Sequence, residues 1–337
     1  MGISDPFDWD RLVSVTNLAP SVLNTRPWRF ERAAEDRVNM RPDWNRHLKV
    51  IDPSHRELFI SCGAALFNLR LAIRVAGHDP VIWLLPDARP VTGPPCEHCG
   101  THCGTGDLLA SAEIVTKRTH PATIMEQRMY EAIPVRRTTR EPFERKLPMN
   151  VLAELEQAAR REGVTARMLF PPATRRLLRQ ASATAEDLRR DTAYLAELSH
   201  WTGDMPGELG VPAESFGPMP RNGGRSPVRD LGMSWHGERE TAKFERHPQF
   251  IALQTLTNKP ADWLRLGQAL QRLLLTATWY GADASFLTQS LEAEDRISRQ
   301  EPARMWPWRN TTQMIVRVGQ HVPGPGPLVI QGEDESR

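Results

Sequence analysis

Apolar residues recur along the chain with two different periods, which predict a protein of mixed helices and strands. Helical spacing predicts helices over 8–18, 53–77, 121–132, 151–162, 173–200 and 261–280. Short apolar runs bounded by turn residues predict strands over 28–32, 38–41, 81–85, 112–116, 165–170, 250–256 and 313–318, the first two forming a hairpin. The strand over 81–85 is expected to be buried. Asn150 is expected to be the N-cap of the helix over 151–162. The mixture predicts an α+β fold.

Two of the predicted helices share a pattern of small and apolar residues. The segment 63–77 can be laid over 267–281 at a constant offset of 204, with both glycines and several Ala and Leu positions coinciding. Small residues on both helices would let them pack closely against each other. We therefore expect two copies of one α+β unit, fused around a central helical seam. The predicted boundaries are 1–118 for the first half, 119–322 for the second half and 323–337 for a frayed tail.

Composition and charge narrow the class of protein. The 337 residues can bury a large core, and 40% hydrophobic with 25% charged residues is typical of a soluble globular protein. A net charge of +2 makes nucleic acid and an anionic membrane surface poor partners. We expect no apolar run in the sequence to reach the roughly 20 residues that span a bilayer. The N-terminus has no signal-peptide pattern, so a cytoplasmic location with four reduced cysteines is expected.

The loop over 19–30 is the first stretch that suggests chemistry. Pro20 and Pro27 fix φ and remove backbone donors, so the chain between them is a shaped loop rather than a helix. Ser21, Asn24 and Arg26 are left to hydrogen-bond something other than regular backbone. The alternative is a surface loop that merely anchors a tryptophan in the core.

Three further stretches stand out. The segment 136–143, Arg-Arg-Thr-Thr-Arg-Glu-Pro-Phe, concentrates guanidinium groups that suit phosphate oxygens. The segment 203–232, called the lid segment below, is rich in glycine and proline and is typical of a lid or binding loop, the alternative being a floppy insertion. Cys96, Cys99 and Cys103, with two histidines between them, have spacing compatible with zinc ligands, the alternative being a loop without metal.

Taken together, these stretches resemble the nitroreductase superfamily of flavoproteins, and within it the Acg-type branch. Residues 19–28 are similar to the family's Ala-Pro-Ser-x-x-Asn-x-Gln-Pro-Trp loop, and 136–143 is similar to its Arg-Arg-Ser/Thr-x-Arg-x-Phe stretch with one extra residue. Residues 281–285 are similar to its Gly-Leu-x-Ser turn. In ordinary members two subunits pair, and each flavin mononucleotide (FMN) lies between the loop of one and the arginine stretch of the other. Because this chain contains the loop once and the arginine stretch once, the resemblance implies one FMN in a monomer shaped like the family's dimer.

The resemblance also implies roles for individual residues. It places Arg136 and Arg317 at the FMN phosphate with the Thr138 hydroxyl, and it places Arg140 at the pyrimidine side of the ring. The remaining cofactor-binding residues that it implies are Pro20, Ser21, Asn24, Arg26, Arg137, Ser285, Thr288 and Gln289. Of these, Arg26 replaces the family's glutamine, and Ser285 has the alternative of a plain helix-cap serine.

The implied activity is transfer of hydride from NAD(P)H, through FMN, to a nitroaromatic or quinone-like acceptor. We name no catalytic side chain, because in flavin chemistry the cofactor carries the hydride and the protein supplies position and electrostatics. If the lid segment covers the flavin, the alternative is a protein that stores or sequesters FMN with little turnover. A third possibility is a degenerate copy that binds no flavin.

Overall fold

The chain folds into two antiparallel sheets, each packed on one of two long helices that contact each other. The computed structural model describes residues 8–86, 108–116, 121–203, 208–221, 226–291 and 312–321. The described helices are α1 (Trp9–Thr16), α2 (Arg56–Val75), α3 (Ile124–Ala132), α4 (Met149–Arg160), α5 (Pro171–Leu188), α6 (Thr192–His200) and α7 (Pro260–Trp279). The cysteine cluster and the tail lie outside the described residues, so the zinc site and its alternative, a loop without metal, both stay untested.

The described strands form two four-stranded sheets and two short pairs. The first half contributes β1 (Trp28–Ala34), β2 (Arg37–Pro42), β3 (Asp79–Leu84) and β4 (Ala110–Val115) in the order β1-β2-β4-β3. The lid segment and its surroundings contribute β6 (Thr202–Gly203), β7 (Val211–Pro212), β8 (Met219–Pro220) and β9 (Thr241–Ala242), paired as β6-β7 and β8-β9. The second half contributes β5 (Thr165–Met168), β10 (Gln249–Gln254), β11 (Asp283–Phe286) and β12 (Thr312–Gly319) in the order β11-β12-β10-β5.

The two large sheets have the same topology. Numbered within its own half, each sheet has the strand order 1-2-4-3, and every neighbouring pair is antiparallel. In both halves the long helix, α2 or α7, connects the second strand to the third. The hairpin β1-β2 and the α+β mixture agree with the sequence prediction.

The two long helices cross at a pair of glycines. A Cβ atom on Gly63 would collide with the Leu264 carbonyl oxygen and lie 2.9 Å from the Gly267 Cα. Reciprocally, a Cβ on Gly267 would collide with the Ile60 carbonyl oxygen and lie 2.8 Å from the Gly63 Cα. The backbones therefore touch, and glycine at both positions is what permits the contact.

The start of α2 matters for the site because it lies beside the cavity described below. Asp52 caps this helix: its carboxylate accepts hydrogen bonds from the backbone N–H groups of Glu57 (3.0 Å) and Leu58 (2.8 Å). Burial of the carboxylate, with the negative charge of Glu57 beside it, raises the pKa of Asp52 well above its usual value. By length and composition α2 could cross a membrane, contrary to the sequence expectation, but 83% of its most apolar 18-residue window is buried inside the protein.

Four predictions about elements were wrong or incomplete. Strand β3 is an edge strand whose Trp83 is 42% exposed, so it is not buried as predicted. Helix α4 begins at Met149 after Pro148, so Asn150 lies inside the helix and is not its N-cap. The helix predicted over 173–200 is two helices, α5 and α6. Asp191 lies between them and caps α6, because its carboxylate accepts a hydrogen bond from the Tyr194 N–H at 3.0 Å. Strand β11, which has four residues, was not among the predicted strands.

Candidate functional site

A cavity of about 320 Å³ lies where the two halves and the lid segment meet. The loop 17–26 of the first half forms one wall, and the stretch from Ile133 to Arg140 of the second half forms another. The lid segment adds lining residues from 210–215 together with Arg229 and Leu231. The structure thus brings together the loop and the arginine stretch that the sequence singled out 110 residues apart, counted from Arg26 to Arg136.

The loop has an unusual backbone, held by hydrogen bonds. Three of its non-glycine residues have positive φ: Leu23 (45°), Asn24 (53°) and Arg26 (47°). Such residues are strained by about 1 kcal/mol or more each. The Ser21 hydroxyl accepts from the Arg26 backbone N–H at 2.9 Å, and the Ser61 hydroxyl on α2 accepts from the Val22 N–H at 3.1 Å. Ser21, predicted to contact the flavin, therefore also shapes the loop.

Asn24 and Arg26 connect the loop to the lid segment. The Asn24 side-chain amide donates to the carbonyl oxygens of Glu208 (2.8 Å) and Gly210 (3.0 Å). The Arg26 guanidinium pairs with the Glu208 carboxylate at 2.8 Å, but Glu208 is 83% exposed, so this ion pair contributes little. A buried cluster also joins the loop to the lid segment; its members are Leu23, Leu48, Ile51, Leu188, Tyr194, Leu198, Val211, Phe216 and Leu231. The described parts of the lid segment are thus packed on the loop, unlike a floppy insertion.

The arginine stretch presents guanidinium groups to the same cavity. Arg136, Arg137, Thr138 and Arg140 all line it. Arg136 donates weakly to the Thr138 hydroxyl at 3.3 Å, and its Nε has no hydrogen-bond partner among the described residues. Burial, together with the nearby charge of Arg137, lowers the pKa of Arg136 to about 10. The Arg137 Nη1 donates to the backbone oxygens of Pro134 (2.7 Å) and Arg136 (2.9 Å).

Some predicted site residues do not reach the cavity. Arg317 is fully buried, with its Nε and Nη2 bound to the Glu245 carboxylate at 2.6 and 2.7 Å, and its guanidinium lies 3.8 Å from the centre of the Phe143 ring. Ser285 accepts from the same guanidinium at 3.3 Å. Gln289 donates to the Ala181 carbonyl oxygen at 3.3 Å and is not a lining residue. Pro20 and Thr288, in contrast, line the cavity.

Two charged residues that line the cavity were missed by the sequence analysis. Arg229, in the lid segment, is 7% exposed and donates to the Tyr194 hydroxyl at 2.9 Å. Glu57, in the first turn of α2, is 4% exposed and pairs with Arg56 at 3.0 Å. The sequence gave no signal that either side chain faces a cavity. The described lining residues therefore include five arginines and one carboxylate.

Comparison with known proteins places the chain in a family. The protein "Putative NAD(P)H nitroreductase acg" of Mycobacterium tuberculosis is 30% identical over 304 residues, which covers 89% of this chain and 85% of that protein. An uncharacterised protein of the same organism is 28% identical over 318 residues, covering 92% of this chain and 87% of the relative. No model of a protein family matches the chain.

A search of solved structures gives only a low similarity. A nitroreductase from Bacteroides fragilis, solved with bound FMN, aligns with a TM-score of 0.33 and 14% identity, over 62% of this chain and 97% of that one. A similarity this low carries no weight for fold or function. The sequence similarity to the M. tuberculosis nitroreductase is informative, because it extends over most of both proteins. The chain therefore belongs to the nitroreductase superfamily.

Proposed function

We propose that the chain binds FMN in the cavity and works as an NAD(P)H-dependent flavin oxidoreductase on nitroaromatic or quinone-like acceptors. The observation that carries this proposal is the meeting of the 17–26 loop and the arginine stretch in one cavity. The names of the M. tuberculosis relatives support the nicotinamide and nitroreductase parts. The cavity is within the size range of small-molecule sites.

The residues present fit the chemistry of FMN. A phosphate monoester carries up to two negative charges and accepts several hydrogen bonds, and Arg136 offers a half-buried guanidinium whose Nε has no hydrogen-bond partner among the described residues. Thr138 adds a hydroxyl at the same wall. On the opposite wall, the loop from Ala19 to Asn24 would pack on the ring. When bound, FMN accepts and delivers hydride, while these residues bind and orient it.

The direct test is a spectrum of the purified protein before and after anaerobic NADPH. The proposal expects flavin absorbance that NADPH or NADH bleaches, and that a nitroaromatic then restores. A flavin band that neither nicotinamide bleaches would contradict the oxidoreductase and favour storage. A colourless protein that takes up no FMN would contradict both.

Arg136→Ala is expected to weaken FMN binding about 10- to 100-fold, because a hydrogen bond to a charged group is worth about 1.5–3 kcal/mol. The dissociation constant is measured by quenching of FMN fluorescence. Arg160→Ala is the matched control, since Arg160 is an exposed arginine of α4 paired with Glu156 one turn away. Arg136→Lys should give an intermediate loss, because it keeps the charge without the planar fork. Unchanged flavin content in Arg136→Ala would refute the placement of the phosphate.

A second candidate function, storage or sequestration of FMN, is favoured by the contacts between Asn24 and the lid segment. Two hydrogen bonds join the Asn24 amide to the lid backbone directly beside the cavity. With the lid held in this way, a nicotinamide has restricted access to a bound flavin. Brisk steady-state turnover with NADPH and a quinone would rule this function out.

Asn24→Gly is expected to speed FMN dissociation by up to about 30-fold, since it removes two hydrogen bonds of about 1 kcal/mol each. Glycine keeps the φ of 53° without strain, so the loop itself should survive. The release rate is measured by mixing loaded protein with excess apoflavodoxin-type FMN acceptor and following fluorescence. Glu208→Ala, which deletes only the exposed ion pair, is the control and should change the rate little. Equal rates in Asn24→Gly and the parent protein would show that the lid does not retain FMN.

We also propose that the chain is a duplicated unit that works as a monomer with one FMN. The identical strand order of the two sheets, the matching place of α2 and α7, and the reciprocal glycine contact at an offset of 204 support the duplication. A sedimentation mass near 38.1 kDa with one FMN per chain is the expected result. A mass twice as large, or two FMN per chain, would contradict it.

A further inference from the structure

Arg239 joins two stretches of the lid segment through one guanidinium group. Its Nε and Nη2 donate to the Gly217 carbonyl oxygen at 3.2 and 2.9 Å, and Nη2 also donates to the Phe216 carbonyl oxygen at 3.4 Å. Its Nη1 donates to the Asp230 carboxylate at 2.6 Å. Arg239 itself follows the lid segment in sequence. One side chain therefore ties residues 216–217 to residue 230.

The Arg239 guanidinium is enclosed by the residues that it joins. The Arg239 side chain is 9% exposed, and its Cζ lies 5.7 Å from the centre of the buried Phe216 ring. A Cβ on Gly232 would lie 2.6 Å from its Nη1, so the lid backbone packs on the group from another side. Hydrogen bonds of an ionised donor are roughly twice as strong as neutral ones, and a buried charge that loses its partner is costly. These contacts are therefore hard to break.

The stretch that Arg239 holds lies directly on the wall of the cavity. The Ser215 carbonyl oxygen accepts from the Arg140 Nη1 at 2.8 Å, and both residues line the cavity. A Cβ on Gly217 would lie 2.8 Å from the Arg140 carbonyl oxygen, and the Gly217 φ of 71° is in the region that favours glycine. Arg239 is not among the described lining residues. It can therefore act on the cavity only through residues 215–217.

The Asn24 end of the lid segment is held by weaker contacts. There the Asn24 amide donates to the carbonyl oxygens of Glu208 and Gly210, and both hydrogen bonds are between neutral groups. The ion pair of Glu208 with Arg26 is exposed and adds little. When the lid segment opens, the contacts at Asn24 should therefore be lost before those at Arg239.

We infer that Arg239 is a positioning residue that keeps residues 215–217 on Arg140, so that the lid segment opens at its Asn24 end and stays attached at Arg239. Arg239 then sets how fast a small molecule enters and leaves the cavity, although it does not line the cavity. The inference rests on the proposed function in one respect, which is that the molecule retained by the lid segment is FMN.

Backbone hydrogen–deuterium exchange tests the attachment without any use of the flavin. The Gly210 N–H donates to the Asn24 carbonyl oxygen, and the Met219 N–H donates to the Glu240 carbonyl oxygen beyond the Arg239 contact. In the parent protein, after correction for intrinsic rates, the Gly210 amide should exchange at least about tenfold faster than the Met219 amide. In Arg239→Ala the Met219 amide should exchange at least about tenfold faster than in the parent protein, as loss of one hydrogen bond to a charged group predicts.

Arg189→Gln is the matched control for this exchange measurement. Arg189 is the second partner of Asp230, at 3.3 Å, and its side chain is 52% exposed. The control removes an arginine from the same carboxylate but leaves the contacts of Arg239 with Gly217 in place. Exchange at Met219 should therefore stay at the rate of the parent protein.

The FMN-loaded protein tests the consequence for the cavity. FMN release should be at least about tenfold faster in Arg239→Ala, and Arg239→Lys should recover part of the slow release because it keeps the charge without the planar fork. Millimolar guanidinium ion should slow FMN release from Arg239→Ala and leave the parent protein unchanged, since the ion can occupy the vacated position. A general loss of folding would not be reversed in this way.

Gly217→Ala reaches the same contact from the other side. It keeps Arg239, but the added Cβ meets the backbone of Arg140, so residues 215–217 should be pushed away from the cavity wall. FMN release and Met219 exchange should both become faster, and guanidinium ion should have no effect.

Three results would overturn the inference. The first is equal Met219 exchange in Arg239→Ala and Arg189→Gln, and the second is a parent protein whose Met219 amide exchanges faster than its Gly210 amide. If Arg239→Ala does not fold, the third is unchanged Met219 exchange in both Arg239→Lys and Gly217→Ala. A protein that takes up no FMN contradicts the proposed function, and the exchange measurement on the flavin-free protein then still decides the role of Arg239.

Discussion

Gly267→Val is expected to destabilise the protein by at least about 3 kcal/mol, because overpacking at a close backbone contact forces the packed elements apart. Any side chain on Gly267 meets the Ile60 carbonyl oxygen and the backbone at Gly63, neither of which is a flexible side-chain end. Helix α2 packs in one hydrophobic core with the first sheet, and helix α7 packs in another with the second sheet. Separating the two helices is therefore expected to loosen the packing of both cores. Chemical denaturation followed by tryptophan fluorescence measures the loss.

The matched control for this variant is Arg265→Val on the exposed side of α7. It introduces the same residue into the same helix and removes only an exposed contact with Asp262 at 3.4 Å, so a loss of about 0.5 kcal/mol is expected. Gly63→Val should resemble Gly267→Val, because the contact is reciprocal. Equal stability of Gly267→Val and Arg265→Val would show that the helices do not cross at these glycines.

Glu245→Ala is expected to cost about 3–5 kcal/mol of stability, because it leaves the Arg317 guanidinium buried without its carboxylate. Arg317 has no exposed surface and makes two charged hydrogen bonds to Glu245, at 2.6 and 2.7 Å. Glu245 also accepts from the Phe143 N–H at 3.2 Å, which ties the end of the arginine stretch to β12. Thermal or urea unfolding measures the effect.

The double variant Glu245→Leu with Arg317→Met tests the physical reason for this loss. Removing both charges together deletes the unpaired ion, so much of the stability should return. Asp187→Ala, which removes an exposed ion pair to Arg190 at 3.5 Å, is the surface control and should change stability by less than about 0.5 kcal/mol. If Glu245→Ala matches this control, Arg317 is not held by Glu245. FMN affinity measured on the double variant separates a structural Arg317 from one that contacts the phosphate.

Sequence periodicity predicted the long helices and most strands because their apolar stripes face large buried surfaces. Helix α7, apolar on nearly all sides, was predicted within a residue of its ends. The pattern could not predict that 173–200 breaks at Asp191, since the helical period continues through a residue whose side chain caps the next helix. It also could not predict the exposure of β3, because the order of strands in a sheet decides which strand lies at the edge.

The candidate site was predicted in part for a similar reason. Local motifs marked the loop and the arginine stretch, and both line the cavity. Arg317 was assigned to the phosphate by resemblance, but its partner Glu245 lies far away in sequence, and only the fold shows that the two meet. Arg229 reaches the cavity through the path of the lid segment, which carries no periodic signal.

The long sequence separation of the contacts around the loop has a consequence for the order of folding. The Asn24 amide finds its partner at Gly210, 186 residues later, and the Arg56 guanidinium donates to the Gln313 carbonyl oxygen, 257 residues away. Local hydrogen bonds such as the one from the Arg26 N–H to the Ser21 hydroxyl restrain the three residues with left-handed backbone only in part, and the remaining contacts form when those distant partners are present. During synthesis on the ribosome, the loop over 19–30 should therefore adopt its final conformation late, after nearly the whole chain has emerged. FMN would then bind to the folded protein and would not guide the folding of the nascent chain.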